Sequence, residues 1–265
     1  MGKLHGPVQF TGKVGEITAY RRKGSDEIIV RSREGIEGSR IKNDENFIRT
    51  RENNAEFGGR ARAASQVTHA LDLLKPLADY NIVGPITARL ARIQRAAKGE
   101  RGQRAVMLSH NPRLMEGFSL NRKVHFDSIL RGTLTWTLSR ETLSATVSIP
   151  QLIPGINFVA PKSYAMYRIV AVLGMVSDVA YVKGDFAPLN ETLIGKYASA
   201  KTDWRPMKKG LDETVLELKI DERLRPANSS YSIMLAVGVS FGAMDDFSTV
   251  EQVGHAGAAK VLAMA

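Results

Sequence analysis

Apolar side chains recur at every second position in two stretches near the middle of the chain. Leu134, Trp136 and Leu138 alternate with Thr133, Thr135 and Thr137, and Leu143, Ala145, Val147 and Ile149 alternate with Ser144, Thr146 and Ser148. A period of two predicts strands that turn one face to a core, here joined by a turn over residues 139–142. Residues 214–220 repeat the pattern through Val215, Leu216, Leu218 and Ile220. Residues 164–173 and 231–241 are more continuously apolar, which predicts deeper burial. Residues 258–263 read as a last short strand.

Upstream the period changes. Ala63, Val67, Ala70 and Leu74 fall at i, i+4, i+7 and i+11, one stripe on a helix. This predicts helix from an N-cap at Asp44 to about Lys75, with Gly58-Gly59 marking a break or a close approach of another backbone. A second helix is predicted from Pro85, suited to a first turn, to Lys98, ahead of a C-terminal Gly99. Ile86, Leu90, Ile93 and Ala97 share its apolar side, and Arg89, Arg92, Arg95 and Lys98 fan across the other. At the N-terminus, residues 15–22 and 27–33 are rich in β-branched and aromatic residues around Lys23-Gly24-Ser25-Asp26, a hairpin signature. Residues 34–43, with two glycines and no apolar period, read as a linker.

The expected architecture is α+β: an N-terminal β-hairpin and helices over residues 1–123, then an antiparallel β-sandwich over 124–265. Charge follows the same division. Residues 1–123 hold 23 Lys and Arg against 13 Asp and Glu, a net +10, whereas residues 124–265 hold 14 against 14. The basic positions singled out for contact with a partner are Arg21, Arg22, Arg31, Arg33, Arg89, Arg92, Arg95 and Lys98. Arginine dominates this set, and its planar fork suits phosphate or carboxylate.

Catalytic chemistry has no comparable signal. The chain has no cysteine, which removes disulfides, thiolate metal sites and thiol catalysis. Residues 6–14 superficially resemble a phosphate-binding P-loop. Five residues separate Gly6 from Gly12 where four are needed, and Val14 stands where Ser or Thr should follow Lys13. His5, His69, His110, His125 and His255 are scattered without ligand spacing, and Asp245-Asp246 reads as a solvated turn. No Gly-x-Ser-x-Gly elbow occurs. No cofactor and no enzymatic role are expected.

The N-terminus shows no apolar signal region, and Gly6 stands where myristoylation needs Ser or Thr. The longest apolar run, residues 169–176, is far short of a bilayer span. A cytoplasmic protein without a membrane partner is expected. Gly12-Lys13-Val14-Gly15, Ile29-Val30-Arg31 and residues 49–58 (RTRENNAEFG) resemble a family of uncharacterised bacteroidete hypothetical proteins, some of them prophage-associated. Residues 157–160, 167–170 and Ser177-Asp178 are also similar to that family. The resemblance implies a non-secreted protein without a catalytic role. Two function classes remain. The first is a structural subunit of a homo-oligomeric tube, filament or shell, with the N-terminal arm contacting neighbouring copies. The alternative is binding of nucleic acid or another polyanion through the Arg-rich half.

Overall fold

The structure, a computed structural model, describes residues 2–4, 6, 9–21, 26–32, 36–244 and 249–265. Its architecture is α+β, with N-terminal strands and helices followed by mostly antiparallel sheets. The chain divides into two compact units, Met1–Arg51 and Glu52–Ala265. The division expected near residue 123 therefore falls elsewhere.

The first unit is built on a four-stranded antiparallel sheet. Strands β1 (Gly2–Leu4), β2 (Gly12–Val14), β3 (Ile17–Arg21) and β4 (Ile28–Ser32) run in the order β1-β4-β3-β2. The predicted hairpin is the β3–β4 pair, with Ala19 opposite Val30. The sheet adds β1 and β2 on either side of that pair. The predicted linker is also partly ordered: α1 (Gly38–Asn43) is a short helix. Asp44 accepts from the Asn46 N–H at 2.9 Å and so caps the turn that leads into the long helix α2 (Ile48–Ala70). Arg51 Nη1 donates to the carbonyls of Ile41 and Asp44 and ties the turn down.

Helix α2 runs through Gly58-Gly59 without a break. Gly58 is open to solvent, whereas a Cβ at Gly59 would meet the Phe186 ring at 2.5 Å. After α2 come α3 (Val83–Ala96) and the single-turn α4 (Phe126–Ile129). The strands then follow: β5 (Thr135–Ser139), β6 (Ser144–Ile149), β7 (Met166–Ser177), β8 (Val179–Val182), β9 (Asp185–Pro188), β10 (Tyr197–Lys201), β11 (Arg205–Pro206), β12 (Thr214–Lys219), β13 (Tyr231–Met244) and β14 (Val250–Met264). The predicted last short strand is thus the second half of a strand of 15 residues.

Three layers make up the second unit. The central sheet runs β10-β7-β13-β14, with β11 also pairing β7, and a smaller sheet runs β12-β6-β5. One side of β7 (Ile169, Ala171, Leu173, Met175) and of β13 (Ile233, Leu235, Val237, Val239) meets Ala145, Val147 and Ile149 of β6 and Leu216 and Leu218 of β12. This is the expected sandwich. The other side (Val170, Val172, Val176, Met234, Ala236) meets Ala63, Val67 and Leu71 of the α2 region and Ile86 and Leu90 of α3. Burial on both faces is why β7 and β13 read as continuous apolar runs rather than alternating ones. It also explains the division of the chain, because the helices after residue 52 share a core with the central sheet.

Close approach of helix to sheet is permitted by small residues. A Cβ at Gly174 would lie 2.6 Å from Ala70 Cβ and 2.8 Å from the Ala70 carbonyl oxygen, and one at Gly238 would lie 2.7 Å from Leu77. The outer edge of β14 is partly covered. Gly117 N donates to Val261 O, Val261 N to Phe118 O and Leu120 N to Ala259 O, at 2.9–3.0 Å. Buried Asn121 holds this segment in place, donating to Leu77 O at 2.7 Å and Gly257 O at 3.2 Å and accepting from Ala259 N at 2.9 Å. Among the described residues no helix is long and apolar enough to cross a membrane.

Substitution Gly174→Val is expected to lower stability by about 2 kcal/mol, the scale of overpacking a filled core. It should appear as a lower denaturant midpoint with unchanged slope. Gly58→Ala, in the same experiment, should be neutral or stabilising by up to about 1 kcal/mol, since it is an exposed helical glycine.

Candidate functional site

The basic residues of the helical layer fall into two groups once their partners are known. Most are engaged by the fold. At the centre lies Glu56, 3% exposed on α2. It accepts from Arg104 Nε at 2.6 Å, Arg104 Nη2 at 2.9 Å and the Gly102 N–H at 3.0 Å. Gln94, fully buried on α3, accepts from Arg60 Nη1 at 2.7 Å and donates to Arg104 O at 2.8 Å. The network joins α2, α3 and the loop of residues 99–105. Burial alone pushes the Glu56 carboxyl up. The Arg104 hydrogen bonds, the Gly102 N–H and the charges of Arg104 and Arg60 outweigh that and hold it below the ordinary carboxylate range.

Other arginines are similarly committed. Arg62 pairs with Asp185 at 2.6 Å and draws that carboxyl down to about 2, helped by the Phe186 N–H. Arg101 pairs with Glu52 at 3.2 Å, and Arg122 lies over Tyr80 at 4.1 Å. Arg89, expected on the partner-facing side of α3, is held differently. It donates to Leu114 O at 3.1 Å, and its guanidinium lies 5.0 Å from the centre of the Phe118 ring. Arg89 therefore fastens α3 to the segment of residues 112–118.

In the first unit, Arg21 stands 3.6 Å from Asp26, and Arg31 lies over Tyr20 at 5.9 Å. Arg22 and Arg33 lie outside the described residues.

Arg92, Arg95 and Lys98 are the exception. All three are exposed and their side chains have no partner within the chain among the described residues. Arg92 and Lys98 border a cavity of about 680 Å³ with His110 and Asn111, over a floor that includes Ile93, Ala97 and Met107. A neighbouring depression of about 490 Å³ shares His110 and Asn111 and adds Arg113. No carboxylate lines either hollow. His110 and Arg113 were missed in the sequence because nothing there ties their short turns to the end of α3.

A third hollow, of about 530 Å³, is bordered by Lys75, Asp79, Tyr80 and His255. Its polar groups are occupied by the fold. Asp79 accepts from the Arg122 and Lys123 N–H groups, Tyr80 donates to Ser119 O, and His255 Nδ1 lies 2.8 Å from Ala78 O. Among the described residues no group of three or more His, Asp or Glu is placed to hold a metal ion. Comparison of the chain with protein-family models, with curated proteins and with solved structures finds no match.

Because the Glu56 carboxyl is held lower in the folded chain than in the unfolded one, its stabilisation is complete above about pH 4.3. It is lost as pH falls through the folded value. Acid unfolding should therefore begin at higher pH in the native chain than its neutral-pH stability alone would give, and Glu56→Gln should flatten that part of the pH dependence. At neutral pH, Arg104→Ala should cost about 3 kcal/mol by leaving a buried carboxylate without its charge partner, measurable by denaturant titration.

Proposed function

We propose that the chain is a structural subunit of a homo-oligomeric assembly, in which the N-terminal unit docks on a neighbouring copy. The observation that carries this reading is an apolar face of the N-terminal sheet that is buried at Ala19 and Ile28 and exposed at its Val14 and Ile17 end. Register places Val14, Ile17, Ala19, Ile28 and Val30 on one face, and Lys13, Thr18, Tyr20, Ile29 and Arg31 on the other. Only Ala19 and Ile28 are buried apolar residues among those described in this unit. Val14 is 61% exposed and Ile17 45%. A sheet of such short strands needs a larger covered face than this to be stable.

A second copy offers a surface of suitable character. On the small sheet of the other unit, Val215 of β12 is exposed, and residues 212–222 carry five carboxylates and one lysine. The basic side chains that flank the N-terminal sheet complement that charge. A contact between two different patches is heterologous, and repeated it generates a ring or a filament.

Size-exclusion chromatography with light scattering, at micromolar concentration and physiological salt, tests the reading. The native chain should exceed its 29.1 kDa monomer mass. The double substitution Val14→Asp, Ile17→Asp should return it to a monomer with unchanged circular dichroism. A native chain that runs as a monomer overturns the proposal.

A further inference from the structure

We infer that the hollow at the C-terminal end of α3 is a site for a nucleoside phosphate, either free or as a link in a single-stranded nucleic acid. The argument begins from the sorting of cations. In residues 52–123, Arg60, Arg62, Lys75, Arg89, Arg101, Arg104 and Arg122 all have partners in the chain. The side chains of Arg92, Arg95, Lys98, Arg113 and Lys123 have none among the described residues. Four of these five lie on α3, at its end, or on the turn facing it. Arg92 and Lys98 line one hollow, Arg113 lines the next, and His110 lines both.

Unpaired cations of one sign converging on a concave surface raise the local positive potential, because no carboxylate there competes for them. Arg92 and Arg113 each present a fork of donors that matches a phosphate. The end of a helix would by itself disfavour an anion, since its last carbonyls point outward. Here Arg104 Nη1 donates to Arg95 O at 3.0 Å and draws off part of that negative charge.

The second half of the argument is the floor. Ile93, Ala97, Ala105 and Met107, all half-buried, give the hollow an apolar lining beside its charged side chains. An inorganic anion has no use for such a floor, whereas the flat face of a nucleobase does. A volume of about 680 Å³ is also in the range of small-ligand sites. The full Arg-rich half is not required: Arg89 is committed to Leu114 and Phe118, and Arg21 stands beside Asp26.

The test is a fluorescence-anisotropy titration of the intact protein with three probes: a labelled adenosine diphosphate, a labelled twelve-residue oligothymidylate, and inorganic pyrophosphate as competitor. At 50 mM salt, binding of either labelled probe is expected, with pyrophosphate competing weakly because it does not use the floor. Binding of the diphosphate alone identifies a free nucleotide as ligand. Binding of the oligonucleotide alone identifies nucleic acid, with a log–log salt slope of about −2 for three phosphate contacts. The double substitution Arg92→Glu, Lys98→Glu should weaken binding at least about tenfold, each reversal removing one cation contact. Lys123→Glu, a charge reversal away from the hollow, should leave it unchanged. The substituted side chains have no partner among the described residues, so circular dichroism should not change. No binding of either labelled probe at 50 mM salt, or equal weakening by Lys123→Glu, overturns the inference.

Discussion

Two adjacent strands, β7 and β13, carry apolar side chains on both faces, and water has to be kept from both. They pair over twelve residues, from Tyr231 opposite Ser177 to Gly242 opposite Met166. Burying each large apolar side chain contributes about 1.5–3 kcal/mol, so neither face can be left open. The small sheet β12-β6-β5 closes one side and the helices close the other. Gly174 and Gly238 let the helical layer come within contact distance. The position of α3, and with it the hollow at its end, follows from the need to cover Val170, Val172, Met234 and Ala236.

Charge in the helical layer is arranged around one buried carboxylate. Glu56 is out of water, and its ionised form survives there only because Arg104 and the Gly102 N–H surround it. That demand fixes the course of residues 99–105 and, through Gln94, the rotation of α3. The arginines that satisfy it are no longer available to a partner. The same rotation leaves Arg92, Arg95 and Lys98 outside. The cations of residues 52–123 therefore form two populations among the described residues, one held by the fold and one without a partner in the chain.

Much of the fold was legible as periodicity. Alternation gave β5, β6 and β12, continuous apolar runs gave β7 and β13, and the stripe from Ala63 to Leu74 gave the second half of α2. What periodicity cannot give is the identity of the covering surface. A run such as Ile169-Val170-Ala171-Val172 announces two buried faces without saying that one meets helices, which is why the division of the chain was expected at 123. The Gly38–Asn43 helix escaped notice because a glycine-flanked segment without buried residues has no apolar period. Within α3, Arg89 and Arg92 look alike on a helical wheel. They differ because residues 112–118 arrive beside one and not the other, and that contact spans 25 residues of sequence.

The sealing of the β14 edge by residues 117–121 has a consequence for the order in which the protein can form. The helices and the sealing segment leave the ribosome before the strand they cover, Val250–Met264. Until then Leu71, Leu74, Ile86 and Leu90 have no β14 and no complete central sheet to rest on. Helices that wait for a strand so distant in sequence gain little from folding during synthesis and expose apolar faces meanwhile. Removing β14 would strip Ala259, Val261 and Met264 from the core that these helices share, leaving their apolar faces without a partner.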